Sequence, residues 1–320
     1  MRWYLRSRHN DATITTTMMF RAAAIDLDGT LLNSSHELSE ASVSYLQELN
    51  RKGFTIIVAT GRGASTVYRY VDQLGFAMPI VCSNGARGLL YTATGKTTSL
   101  LSKKELFLTS LPINVVQSSV EVAKELGLVI QYYLGDQIYA NPSNEEQMEL
   151  TQRSSSVTKS STVYVKDDFA SIMKEKEPPS KVLIMCYTTQ QLDELEGLCR
   201  QRIGEGAHLI KAQSTVKVNG QAYYCILEVL HPDVHKGHGL QRMCTELGID
   251  MKECLAFGDG ANDLEFIEMA GRGIVMKNGV DKVKAVGDEV LDLTNDEVRF
   301  AFCGVGVLLA CLLRLHFLLN

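Results

Sequence analysis

Ala22-Ala23-Ala24-Ile25-Asp26-Leu27-Asp28-Gly29-Thr30 is the stretch that decides the fold. A short run of small and branched apolar residues reads as a buried strand that leads straight into two carboxylates. Gly29 lets the chain turn immediately behind them. In an open, mostly parallel α/β sheet the carboxyl ends of the strands line the ligand crevice, so the pair is placed where such folds keep their chemistry. Two acids that end an apolar strand are costly without a task, which makes Asp26 and Asp28 the leading candidates for reactive groups.

A second stretch repeats the arrangement. Leu255-Ala256-Phe257 is an apolar run, and Gly258-Asp259-Gly260-Ala261-Asn262-Asp263 follows it as a glycine-rich acidic turn. Carboxylates gathered at neighbouring strand ends repel one another unless a cation neutralises them. Mg²⁺ suits an all-oxygen site of this kind, taking one or two carboxylates and substrate phosphate while keeping several waters.

Between and around these turns, short apolar runs alternate with amphipathic stretches, the rhythm of βαβ units. The spacing of Val43, Leu46 and Leu49 predicts a helix over Leu38–Asn50, with Ser39 as N-cap and Gly53 as its stop. Phe54–Ala59 reads as a strand ending at Thr60-Gly61-Arg62, Ala64–Leu74 as a helix, and Pro79–Cys82 as a strand ending at Ser83-Asn84-Gly85. From Arg87 to Leu230 the texture changes to an α+β pattern, with Tyr132, Tyr133 and Tyr139 expected in its core. Ser154-Ser155-Ser156 and Ser160-Ser161 are expected to form a flexible polar stretch there. The α/β rhythm then resumes with a helix over Gly237–Leu247, the Leu255–Phe257 strand, a helix over Leu264–Ala270, and strands at Gly273–Met276 and Glu289–Leu293. The expected organisation is an extension over 1–20, a core of 21–86 and 231–300, an inserted domain over 87–230, and an apolar tail over 301–320.

The 320 residues are 45% hydrophobic and 22% charged, ample for one large or two smaller domains. A net charge of -5, with no basic stripe, argues against nucleic acid as a partner. It leaves room for a small anionic substrate. The eight cysteines show no metal-site spacing, and Cys82, Cys186 and Cys225 fall in apolar runs, so they are expected as buried thiols in a reducing compartment. A cytoplasmic location is expected, with organelle import as the alternative, because Arg2, Arg6 and Arg8 precede the first acid, Asp11. Phe300–Leu313 carries no charge but falls short of the ~18 residues that mark a spanning helix. A packing helix is expected there, a tail anchor being the alternative. Oligomeric state is not readable from the chain.

Taken as a set and in order, Asp26-Leu27-Asp28-Gly29-Thr30, Thr60-Gly61-Arg62, Lys236-Gly237 and Gly258–Asp263 resemble the four motifs of the haloacid dehalogenase-like phosphatase superfamily. With Ser83-Asn84-Gly85 ahead of a long insertion, the pattern is similar to the Cof-type branch with a large α/β cap. The resemblance implies an α/β, Rossmann-like, three-layer parallel-sheet core with an inserted α+β cap. It implies a Mg²⁺-dependent phosphatase of small phosphorylated metabolites, foremost sugar phosphates, working through an aspartyl-phosphate. Asp26 is then the nucleophile and Asp28 the general acid and base. Asp26, the Asp28 carbonyl and Asp259 hold the metal, with Asp263 either a direct ligand or one step removed. Thr60, the Gly61 amide, Lys236 and Asn262 bind phosphate oxygens, while Arg62 and Asn84 are candidate substrate contacts. A structural alternative for Asp263 is a salt bridge that anchors Lys236. Functional alternatives are a phosphohexomutase sharing the first half of the chemistry, and a silent metabolite-binding protein on the same fold.

Overall fold

The computed structural model describes residues 20–92, 103–166, 169, 172–173, 177–213, 217–218, 221–222 and 224–297. The expectations for the two chain ends and the Arg-rich segment lie outside this range, apart from Phe20. Among the described residues, no helix is long and apolar enough to cross a membrane.

Eight strands make the larger sheet: β1 (Ala22–Ile25), β2 (Thr55–Ala59), β3 (Met78–Cys82), β4 (Arg87–Tyr91), β5 (Lys103–Leu108), and, after a long interval, β14 (Cys254–Gly258), β15 (Arg272–Val275) and β16 (Glu289–Val290). Their spatial order is β16-β15-β14-β1-β2-β3-β4-β5. Pairing is parallel from β16 through β3, and β4 then runs antiparallel to β3. β1 lies between β14 and β2 and is fully buried, which explains its alanines: a strand covered on both faces needs little side-chain volume to be packed. In register, Ile25 faces Phe257 on one side and Val58 on the other. The first residues beyond these strands, Asp26, Thr60 and Asp259, therefore emerge at one edge of the sheet.

The helix Glu40–Arg51 starts at Ser39, whose hydroxyl accepts from the Ser42 amide, and buries Leu46 and Leu49 as their spacing predicts. Ala64–Leu74 is not one helix but a 3₁₀ turn, Ala64–Thr66, followed by the helix Tyr68–Leu74. The helix Lys236–Leu247 packs closely on the turn after β3. A Cβ on Gly239 would lie 2.5 Å from the Gly85 Cα, so two glycines permit this approach.

The chain forms two compact units. One gathers the described residues up to Gly61, Tyr68–Leu106, and those from His235 onward; the other gathers Arg62–Val67 and Phe107–Val234. The sequence boundary at Arg87 thus falls inside the first sheet. β4 continues it through five residue pairs with β3, from Cys82↔Arg87 to Met78↔Tyr91, a hairpin that the alternation of strands and helices did not announce.

The second unit contains β6 (Val129–Leu134), β7 (Gln137–Ala140), β8 (Thr162–Tyr164), β9 (Lys181–Cys186), β10 (His208–Gln213) and β13 (Cys225–Leu230) in the order β10-β13-β9-β6-β7-β8, while β11 (Lys217–Val218) and β12 (Gln221–Ala222) pair with each other as a separate antiparallel ribbon. All neighbours are antiparallel except β7 and β8. A core cluster joins Val182, Ile184 and Leu227 of the sheet to Val115, Val116, Leu192 and Leu195 of the helices Ile113–Glu125 and Thr189–Ile203. Tyr132 is buried in that cluster, with Tyr139 packed against it, while Tyr133 packs against Val129, Leu183 and Tyr224. Ser154–Ser156 corrects the expectation of a flexible stretch, because these residues belong to the helix Glu145–Thr158. Asn144 caps that helix through the Gln147 amide, and Leu150 and Thr151 anchor it, so three serines of modest helix propensity are carried along. The described cysteines are buried and free, matching the thiol reading.

Candidate active site

The site begins where β1 ends. The Asp26 amide donates to the Phe257 carbonyl at 2.9 Å, extending the β1–β14 pairing by one residue. The chain then folds back, with the Leu31 amide donating to the Asp26 carbonyl and the Leu32 amide to the Leu27 carbonyl. Gly29 makes this possible at φ +79°, and a Cβ there would stand 2.3 Å from Asp259 Oδ2. Gly29→Ala therefore meets a left-handed backbone and a carboxylate together. It is expected to lower kcat/KM more than tenfold, read from initial rates of phosphate release, and a fully active variant would show that this approach is unnecessary.

Asp259 is held from three directions. Thr30 Oγ1 donates to its Oδ1 at 2.7 Å, Asn278 Nδ2 lies 3.4 Å from its Oδ2, and its carbonyl accepts from the Val280 amide. Asn278 Nδ2 also donates to the Gly29 carbonyl at 2.8 Å, joining the first acidic loop to the segment after β15.

Lys236 stands between two acids. Its Nζ donates to Asp26 Oδ1 at 2.5 Å and to Asp263 Oδ1 at 2.6 Å, and Lys236 and Asp263 are essentially inaccessible to solvent. Asp263 Oδ2 accepts from the amides of Asp259 and Gly260, shaping the acidic turn. One carboxylate oxygen thus receives two amides while the other receives an ammonium, which spends most of its accepting capacity inside the protein. The salt bridge from Lys236 to Asp263 is thus present, and the same carboxylate is one of the three that could hold a metal ion.

Carboxylate oxygens of Asp26, Asp259 and Asp263 all lie within 4.8 Å of one another. One ammonium cannot neutralise three carboxylates. Burial, the largest influence, pushes the Asp26 carboxyl well above the ordinary range; Lys236 opposes this, while Asp263, Asp259 and Asp28 add to it. Asp259 is raised to about 6, first by burial, against the pull of the Thr30 hydrogen bond. Burial alone would push Lys236 down, yet the Asp26 and Asp263 carboxylates overcome it and hold the ammonium above the ordinary lysine value. Residual negative charge in an all-oxygen cluster is what a hard divalent cation relieves, and the donor set fits Mg²⁺.

Asp28 is half-buried, and its Oδ1 lies 3.0 Å from His36 Nδ1. Thr60 is buried at the end of β2, its amide donating to the Val81 carbonyl and its carbonyl accepting from the Asn84 amide. Asn84 is buried in a left-handed conformation at φ 54°, and its Oδ1 accepts from Asn262 Nδ2 at 2.8 Å. A Cβ on Gly61 would lie 3.0 Å from that same Oδ1, so Thr60-Gly61, Asn84 and Asn262 form one connected group. Arg62 is buried and clusters with the second unit. Sequence reasoning missed Thr30, His36 and Asn278 as partners of the acids. Thr30 is the last residue of the quoted motif and could have been singled out, whereas nothing in the local pattern marks His36 or Asn278.

Comparison with known proteins matches this arrangement to a family. The model of a family described as haloacid dehalogenase-like hydrolase matches residues 23–298. The "Putative phosphatase YxeH" of Bacillus subtilis (strain 168) is 30% identical over 284 residues, covering 88% of this chain and 93% of the relative. The HMP-PP phosphatase of Cronobacter sakazakii (strain ATCC BAA-894) is 28% identical over 269 residues, covering 83% and 88%. A crystal structure of a haloacid dehalogenase-like hydrolase from Bacteroides thetaiotaomicron superposes with a TM-score of 0.71 at 25% identity, covering 88% of this chain and 98% of that one. The matched span runs from β1 through the last described residue and takes in both acidic turns, so this chain belongs to the haloacid dehalogenase-like hydrolases and is a phosphatase among them.

Proposed function

We propose that the chain is a Mg²⁺-dependent phosphatase of small phosphorylated metabolites, sugar phosphates foremost, acting through an aspartyl-phosphate on Asp26. The observation that carries this reading is the cluster of buried Asp26 and Asp263 with half-buried Asp259, closed by Lys236. Asp26 attacks phosphorus, the bond to the leaving oxygen breaks, and Asp28 supplies the proton that this oxygen needs. Water then attacks the phosphorylated Asp26, its proton passes to Asp28, and phosphate leaves with both carboxyls restored. Lys236 favours the ionised state of Asp26 and its charge faces the incoming oxygens. Thr60, the Gly61 amide and Asn262 bind the transferring oxygens, with Asn84 holding Asn262 in place. Asp26, Asp259 and the Asp28 carbonyl would hold Mg²⁺, whose charge screens nucleophile from phosphate; Asp263 acts by holding Lys236 and the acidic turn.

Support for a small substrate comes from chain order. The second unit is inserted between the segments carrying Gly61 and Lys236, as a cap would be, and one relative is named for HMP-PP. A phosphate-release screen over a metabolite library, with Mg²⁺ and then with chelator, tests the reading. Metal-dependent release is expected from sugar phosphates among the best substrates. Isomerised hexose phosphate in place of free phosphate would turn the assignment to a mutase, and silence on the whole library would sink the hydrolase.

Metal binding also leaves a mark independent of turnover. Burial raises the Asp259 carboxyl to about 6, so below that pH Mg²⁺ must displace a proton. Millimolar Mg²⁺ is expected to raise the thermal midpoint by several degrees at neutral pH, and the gain should shrink as pH falls through about 6. A gain that persists undiminished well below that pH would place the ion elsewhere.

A further inference from the structure

The loop from Asn33 to Glu37 is built around one unusual residue. His36 has a left-handed backbone, φ 56°, a conformation that non-glycine residues enter only when surrounding structure holds them there. The surroundings here do so from several sides. The His36 amide donates to the Asn33 carbonyl at 2.8 Å, and the His36 carbonyl accepts from the Tyr70 hydroxyl at 2.9 Å and from Arg69 Nη2 at 3.3 Å. Asn33, itself buried, accepts the Ser35 and Glu37 amides on its side-chain oxygen. The product of this fastening is the placement of the imidazole, whose Nδ1 lies 3.0 Å from Asp28 Oδ1.

We propose that His36 is a positioning residue for Asp28, fixing the rotation of its carboxyl group so that proton transfer to the leaving oxygen occurs in one geometry. The inference rests on the proposed role of Asp28 as acid and base. A carboxyl group has a broad, nearly two-fold preference about its last torsion, so without an outside contact it samples many orientations. Asp28 is half-buried, with its side chain 38% exposed. A ring at hydrogen-bonding distance, carried on a backbone that is itself held at both its amide and its carbonyl, removes that freedom. During the step the proton moves from Asp28 to the leaving oxygen as the phosphorus–oxygen bond breaks, and attacking water later returns a proton to Asp28. His36 makes and breaks no covalent bond.

The test uses leaving groups. p-Nitrophenolate departs from phosphorus without a proton, whereas an alkoxide needs one. The full-length protein with Mg²⁺ is assayed on p-nitrophenyl phosphate and on the alkyl phosphate it turns over fastest, reading kcat/KM, which reports the chemistry up to release of the alcohol. His36→Gly removes the ring while welcoming the positive φ; His36→Asn keeps a polar nitrogen or oxygen near the Nδ1 position and also tolerates that φ. His36→Gly is expected to lose about tenfold or more on the alkyl ester, part of the 10²–10⁴ that a general acid contributes, and less than about threefold on the aryl ester. His36→Asn should recover most of the loss. Equal losses on both esters, or no loss on either, would overturn the proposal. Asp28→Asn separates this from failure of the underlying reading: it must show the same selectivity more steeply, and an Asp28→Asn enzyme with unchanged alkyl-ester turnover would remove the acid role itself.

Discussion

Asp26→Asn is expected to lower kcat by about 10³-fold or more, since the amide cannot form the acyl-phosphate through which the proposed reaction passes. The variant should fold at least as well as the unaltered protein when no metal is added. Burial and three neighbouring acids push the Asp26 carboxyl upward, so its ionised form is the strained partner in a cluster carrying excess negative charge. Removing that charge relieves repulsion, and Lys236 keeps its contact with Asp263 at 2.6 Å. Loss of turnover with an unchanged or raised metal-free thermal midpoint is therefore the expected pair of results. Residual activity within tenfold of the original, in protein free of wild-type contamination, would rule out Asp26 as the nucleophile.

Lys236→Met should damage both stability and rate. The ammonium is the buried partner of Asp26 and Asp263, and Asp263 has no exposure through which water could replace it. Removing one member of a buried ion pair leaves uncompensated charge and typically costs about 3–5 kcal/mol. Here Mg²⁺ should restore part of that loss, because the stranded carboxylates belong to the same cluster. The rate is expected to fall about 10²-fold or more, because the proposed reaction loses a fixed positive charge beside its phosphoryl group. Lys236→Arg should not rescue it, since a planar guanidinium does not fit the place of a compact ammonium held at 2.5 and 2.6 Å. Thermal melts with and without Mg²⁺, alongside initial rates, check both halves. A variant as stable and as active as the original would show that the lysine is incidental.

Much of the core is legible in the sequence alone. Ala22–Ile25 and Leu255–Phe257 read as strands because buried parallel strands are short apolar runs, and both are found in the sheet, paired directly with one another. The helix beginning at Ser39 was legible because its cap and its apolar spacing lie within a dozen residues. Where reading failed, the deciding contact was not local. Nothing in Arg87–Tyr91 distinguishes an antiparallel partner for β3 from the start of an insertion. Ser154–Ser156 looked flexible by composition, but Asn144, Leu150 and Thr151 further back secure their helix. For Asp263 the sequence offers a metal ligand and an anchor for Lys236, and only the fold shows the Lys236 ammonium and two backbone amides at its carboxylate.

By itself, the order of residues determined which chemistry was available: two glycine-flanked acidic turns after apolar strands, a threonine–glycine turn and a lysine ahead of a helix, each set by neighbours along the chain. Only the tertiary structure decided what those groups do to one another. Lys236 reaches Asp26 across 210 positions and Asp263 across 27, Thr30 reaches Asp259 across 229, and Asn278 reaches Gly29 across 249. The reason is that charge–charge energy depends on separation in space and on exclusion of water, and sheet pairing, not sequence proximity, sets both.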